Sequence, residues 1–201
     1  MKNANTKAVI LGHKNFGQYD KLVFLYSENL GKIKCIAKGS RKINSKFTGH
    51  LETMNLVNVS LYFGPRNIIL REITTEKTLK EIREDYEKIK QILEIAEITN
   101  RMIFENQSLK DLNLLIDETI EQFKKTRRPR QIKQRYQIKL LDKMGLIPNF
   151  KQIETNIDSK YLKFLNYLKL YPLSEIEKIK LEKKEEENIN KIIERLFALT
   201  T

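Results

Sequence analysis

The sequence is poor in the residues that carry most catalytic and metal chemistry. Among 201 residues there is one cysteine, Cys35, no tryptophan, and two histidines, His13 and His50. A single thiol excludes an internal disulfide framework and any zinc site built on cysteines. Neither histidine has a His, Cys or carboxylate at metal-ligand spacing, and G-x-S-x-G, Walker A and G-x-G-x-x-G patterns are absent. Cys35 alternates with Ile33 and Ala37 and reads as a small buried hydrophobe, not a nucleophile. Acidic runs such as Glu84-Asp85 and Glu185–Glu187 read as solvated helix faces. No catalytic residue, metal or cofactor is assigned, and a protein that is not an enzyme is expected. Four Pro and seven Gly are too few for a collagen-like or low-complexity chain. No apolar stretch approaches the roughly 18 residues of a membrane span. The apolar run Ala8 to Leu11 is too short for the core of a signal peptide. A soluble, cytoplasmic protein with no membrane partner is expected.

What the sequence has in excess is positive charge. Lys and Arg number 38 against 26 Asp and Glu, for a formal charge of +12. That imbalance points to a polyanionic partner. It is uneven: residues 1–78 hold 13 basic and 5 acidic side chains, whereas residues 79–201 hold 25 and 21.

The composition also changes near residue 78. Before it lie most of the glycines and five runs rich in Val, Ile, Leu, Phe and Tyr: Thr6–Gly12, Lys21–Ser27, Lys32–Ala37, Met54–Phe63 and Asn67–Thr74. Turn signals separate them, notably Glu28-Asn29-Leu30-Gly31 and Gly64-Pro65. Five short strands predict a small closed barrel, with the OB-fold as first template and an SH3-like barrel as the alternative. After residue 78 the apolar spacing is helical. Tyr86, Ile89, Leu93, Ala96 and Ile103 form one stripe, and Leu109, Leu112, Leu115, Ile116, Thr119 and Phe123 a second. Ile132, Tyr136, Leu140 and Met144 form a third, which Gly145 ends. Tyr161, Leu165 and Leu168, then Ile189, Ile192, Ile193 and Leu196, form the last two. Capping boxes are expected at Thr78–Glu81 and Ser174–Glu177, a weaker one at Ser108–Asp111, and a helix start at Pro129. The predicted class is α+β: a five-stranded OB-fold barrel for nucleic acid over 1–78, followed by an all-α domain over 79–201.

Two basic clusters stand out. In the first, Lys32, Lys34, Lys38, Arg41, Lys42 and Lys46 occur with no acid between Glu28 and Glu52. Strand alternation places Lys32, Lys34 and Lys38 on one face, opposite Ile33, Cys35 and Ala37. Arg41, Lys42 and Lys46 continue the charge into a loop. A cationic strand face with an adjoining loop is how OB-folds carry single strands, and the alternative is an edge protected by lysines. Aromatic residues are sparse in this cluster; Tyr19, Tyr62 and Phe63 are candidates to stack on bases, with core packing favoured for Phe63. The second cluster contains Lys124, Lys125, Arg127, Arg128, Arg130, Lys133, Arg135 and Lys139, with no acid between Glu121 and Asp142. Its arginines suit bidentate binding of carboxylate or phosphate; an exposed basic linker is the equal alternative.

Ordered pieces of the chain resemble the bacterial RecO family. They are Thr6–Leu11, then Gly17-Gln18-Tyr19-Asp20-Lys21-Leu22-Val23, Gly31-Lys32 and Ala37-Lys38-Gly39-Ser40-Arg41-Lys42, followed by Ser45-Lys46-Phe47 and Gly49. In the helical part they are Arg135–Leu141 with Met144-Gly145-Leu146 and Pro148. The resemblance implies an N-terminal OB-fold, binding of single- and double-stranded DNA, and annealing of complementary strands. It also implies partnership with RecR and contact with the acidic C-terminal tail of single-stranded DNA-binding protein, and so, indirectly, loading of RecA. By family analogy the tail site falls on the helical domain. Arg127, Arg128, Arg130 and Arg135 are its candidates, with Leu115, Phe123 and Leu140 expected to line an apolar pocket. Many members bind zinc through four cysteines after the Gly-x-x-Pro turn, whereas 149–159 contains none. Gln18 stands where the family usually has Glu, and the early end of the chain suggests a reduced helical domain. An RNA-binding barrel of translation or ribosome assembly is the competing reading, because phosphate contacts look alike in sequence.

Overall fold

The structure, a computed structural model, describes residues 3–147, 158–176 and 178–199. Five strands, β1 (Asn3–Phe16), β2 (Asp20–Ser27), β3 (Gly31–Ala37), β4 (Leu56–Phe63) and β5 (Ile68–Lys77), close in the order β1-β2-β3-β5-β4. All neighbours are antiparallel except β3 and β5, which meet in parallel through Cys35–Ile68 and Ile36–Ile69. That parallel closure is the OB-fold arrangement and settles the choice against an SH3-like barrel. β1 is longer than the pattern predicts because it serves two neighbours. Its first half pairs with β4, its second half with β2, and an irregularity between Ile10 and Gly12 lets the strand bend from one to the other.

The alternation read from the sequence fills the barrel. Ala8, Ile10, Val23, Leu25, Ile33, Cys35, Ala37, Val57, Val59, Leu61 and Leu70 form its core. Phe47 and Leu51, from the segment between β3 and β4, complete it. Val9, Leu11, Leu22, Tyr26 and Ile36, outside that core, are buried too; α2 lies against β1, and the Tyr26 hydroxyl donates to the Leu109 carbonyl.

Two compact units divide the chain, 1–113 and 114–201. The first contains the barrel with α1 (Lys80–Arg83) and α2 (Tyr86–Met102). The capping box expected at Thr78 does not form: β5 runs to Lys77, and Leu79, buried and with no side-chain acceptor, precedes a single helical turn. The long helix starts instead at Asp85, whose carboxylate accepts the Lys88 amide at 3.1 Å. Its buried face is Ile92, Ile95, Ala96, Thr99 and Met102; Tyr86 is 75% exposed and Leu93 points outward. Ser108 does not cap a helix either, since its hydroxyl donates to the Glu28 carbonyl at 2.7 Å.

α3 (Leu112–Lys125) leads into the second unit, which holds α4 (Pro129–Lys143), α5 (Ser159–Leu170), α6 (Leu173–Ile176) and α7 (Lys183–Ala198). Pro129 occupies the first turn of α4, and Gly145, at φ +69, ends it with the Leu146 amide donating to the Leu141 carbonyl. Ser174 lies within α6, not before it, and Glu177 falls outside the described residues. The run Glu182–Glu187 has a local role: the Glu185 carboxylate accepts the Glu182 amide at 3.1 Å and closes a capping box on α7. α4 is the least legible helix. Gln131, Gln134, Arg135 and Gln137 are buried beside Ile132 and Tyr136. Gln134 donates to the Asn190 side chain at 2.9 Å and Gln131 to the Ile179 carbonyl at 3.2 Å.

Candidate nucleic-acid interface

The first basic cluster separates into two groups. Lys38, Arg41, Lys42 and Lys46 are all exposed on the loop that follows β3. That loop is pinned at several points. Ala37 and Phe47 enter the barrel core at its ends. Gly39, at φ +68, turns the chain so that its amide donates to the Asp20 carboxylate at 2.8 Å. The Arg41 amide donates to the Tyr19 carbonyl at 2.9 Å, and its guanidinium to the Gln18 carbonyl at 3.0 Å. The loop is therefore docked on the β1–β2 turn, and its charges are held in place without acidic partners among these contacts. Lys38 and Lys46 line a groove of about 340 Å³ together with Phe47, Ile69, Leu70, Arg71 and Glu72. Arg71 stacks on the Tyr62 ring, 4.4 Å from its centroid. Arg71 belongs to this surface and was not singled out from sequence. It lies on β5, outside both basic runs, and only the β3–β5 closure brings it beside the lysines.

Lys32 and Lys34 face elsewhere. The Lys32 ammonium donates to the carbonyls of Asn100 and Ile103, at the end of α2, where it matches the negative helix terminus. Burial pushes its pKa below the usual lysine range, with Glu105 opposing and Lys34 reinforcing the shift. Its backbone is held as well: Lys32 forms a parallel bridge with Glu105, its amide donates to the Gln107 carbonyl and its carbonyl accepts from the Asn106 amide. Lys34 pairs with Glu105 at 3.2 Å; both are exposed, so the pair contributes at most about 1 kcal/mol. Of the other aromatics, Phe63 packs against the barrel core as favoured, whereas Tyr19 is half exposed, with the Lys42 ammonium 5.6 Å from its ring centroid. Cys35 is a core residue whose thiol burial pushes up to about 12, so it is protonated and unreactive at neutral pH.

The arginines of the second cluster are not equivalent. Arg127 is exposed. Arg128 donates to the Ile179 carbonyl, and Arg130 approaches Glu186 at 4.0 Å. Arg135 is only 6% exposed, reaches the Tyr171 carbonyl at 3.5 Å, and has no hydrogen-bond partner for Nε among the described residues. Burial lowers its pKa, and the nearby Glu118 partly offsets this. Contrary to the expectation from sequence, Leu115, Phe123 and Leu140 do not line an open pocket; all three are buried in the core.

A closed five-stranded OB-fold barrel carrying a docked cationic loop, followed by helices, defines the structural class. Residues 1–80 match the family model described as Recombination protein O N terminal. Over 170 residues the chain is 28% identical to the DNA repair protein RecO of Acetivibrio thermocellus, covering 82% of this chain and 68% of that one. It is 25% identical over 149 residues to that of a Thermoanaerobacter species, 74% and 60% of the two chains. With that of Alkaliphilus metalliredigens it is 22% identical, over 96% and 92%. The chain thus spans between about three fifths and nine tenths of these relatives. Its first 80 residues match the N-terminal domain of the RecO family, and the chain as a whole is similar to RecO proteins.

Proposed function

We propose that this protein is a DNA repair and recombination mediator that binds single- and double-stranded DNA and anneals complementary single strands. In this role it acts with RecR to help load RecA onto DNA coated by single-stranded DNA-binding protein. The observation that carries the reading is the group Lys38, Arg41, Lys42 and Lys46 on a loop pinned to an OB barrel, in a chain whose relatives are named DNA repair proteins. The mechanism needs no cofactor. Ammonium and guanidinium groups displace counterions from phosphates, which lowers the repulsion between two strands held near one another, and base pairing then drives annealing. Lys34 is a second contact, separate from the loop, that exchanges Glu105 for a phosphate, whereas Lys32 holds the segment that follows α2. The functional division falls near residue 78, with the barrel as DNA-binding part and the helices 79–201 as partner-binding part. There Arg127 and Arg135, with Arg128 and Arg130 beside them, take the acidic tail of single-stranded DNA-binding protein.

The test combines annealing of labelled complementary oligonucleotides with a pull-down of single-stranded DNA-binding protein, with and without its acidic tail. Annealing acceleration together with tail-dependent capture is expected. Binding to RNA in preference to DNA, with neither of those activities, would contradict the reading.

A further inference from the structure

We propose that the tip of the β1–β2 hairpin is a base-stacking platform selecting unpaired over duplex nucleic acid, with Tyr19 and Phe16 as its ring surfaces and Lys42 as the cationic partner of Tyr19. The inference rests on the nucleic-acid-binding reading above and narrows it to one kind of strand.

Phe16 and Tyr19 flank the hairpin turn and are 46% and 49% exposed. Neither belongs to the barrel core. The tip is also not a loose end. The Arg41 amide and guanidinium fix the Tyr19, Gln18 and Gly17 carbonyls, and the Asp20 carboxylate is engaged by the Gly39 amide. The Gln18 side chain donates to the Tyr19 hydroxyl at 3.0 Å. The Tyr19 ring is thereby held beside a cationic loop that is distant in sequence, with the Lys42 ammonium over it, and the exposed Phe16 ends the strand that enters the same tip. Lys14 and Lys21 leave the same hairpin and add positive charge. This is the combination that nonspecific single-strand binders use: charge to follow the backbone and rings on which successive bases stack. In a duplex the bases are already stacked on one another, so the rings have no base face to meet and only the charges act.

The experiment uses the full chain and measures binding to labelled oligothymidylate and to a duplex whose ends are closed by hairpin loops too short to bind. For Tyr19→Ala and Phe16→Ala, single-strand affinity is expected to fall by about 5- to 150-fold per ring. Duplex affinity and the salt dependence of binding should stay as in the wild type, because no phosphate-binding charge is removed. Tyr19→Phe keeps the ring and should retain single-strand binding, which separates stacking from loss of the hairpin fold. Equal loss for both nucleic acids, or unchanged single-strand affinity in the double variant, would overturn the platform while leaving DNA binding in place. A wild-type chain that binds neither nucleic acid would overturn the underlying reading as well.

Discussion

Replacing Gly31 by Ala tests whether the segment after α2 is a working part of the barrel. Gly31 opens β3 at φ +68, and a Cβ there would lie 2.5 Å from the Gln107 carbonyl oxygen and 2.6 Å from its carbon. Both contacts are with backbone, so no side chain can move aside. The left-handed conformation alone costs an L-residue about 1–2 kcal/mol. Pushing the 106–107 backbone away also breaks two hydrogen bonds, from the Lys32 amide to Gln107 and from the Asn106 amide to Lys32. Each is worth about 1 kcal/mol. The total is about 3–4 kcal/mol, a large share of the 5–15 kcal/mol typical of a folded protein. Gly49→Ala is the control: its φ is +77, yet nothing lies within 4 Å of the added Cβ, so only the conformational cost of about 1–2 kcal/mol should appear. Urea unfolding monitored by circular dichroism reads the difference. Equal destabilisation by the two substitutions would refute the close packing of 106–107 against β3 and, with it, the anchoring role of Lys32.

The capping box of α7 holds the Glu185 carboxyl below the usual carboxylate range, first through the Glu182 amide and then through Lys160. A carboxylate with a lowered folded-state pKa stabilises fully above its unfolded value and loses that contribution as pH falls through the folded value. Glu185→Gln should therefore lower the urea midpoint at pH 7 and have little effect at pH 3; an equal effect at both would contradict the cap. Cys35, with its thiol pushed up to about 12 inside the barrel core, should react with a disulfide reagent at pH 8 only after denaturant is added, and rapid labelling of the native chain would place it outside the core. Arg135→Ala should weaken binding of the acidic tail peptide by about 2 kcal/mol or more while leaving annealing of naked DNA nearly intact, and Arg135→Lys should not restore it, because lysine lacks the planar fork. Equal loss of both activities would make this cluster a second DNA surface.

The barrel was legible because a strand's period of two writes the core directly: Ile33, Cys35 and Ala37 inside, Lys34 and Lys38 outside. The pairing of β3 with β5 was not, since parallel closure depends on residues far apart and no local signal marks it. The same limit governs the site. The basic run in residues 32–46 is visible in one dimension, but its division is not. Lys32 turns to helix carbonyls that belong to Asn100 and Ile103, and Arg71 and Tyr19 join Lys38, Lys46 and Lys42 only through the fold. In the helices, Pro129 and Gly145 did what their backbone chemistry dictates. Thr78-Leu79-Lys80-Glu81 did not, because β5 and the buried Leu79 impose their own geometry on the cap. The stripe of α2 was misplaced for a related reason: Tyr86 counts as apolar in a pattern but sits in the first, exposed turn. α4 hides best, since buried glutamines and Arg135, satisfied partly by groups distant in sequence, look like surface in sequence.

The central claim is that the loop after β3 binds phosphates. The direct measurement is the salt dependence of DNA binding for the wild type and for a Lys38→Ala, Lys42→Ala, Lys46→Ala variant shown by circular dichroism to be folded. All three lysines are exposed, and each released counterion on a single strand contributes about 0.7 to the log–log slope. The account predicts a slope shallower by about 2 in the variant; a slope equal to that of the wild type would contradict it.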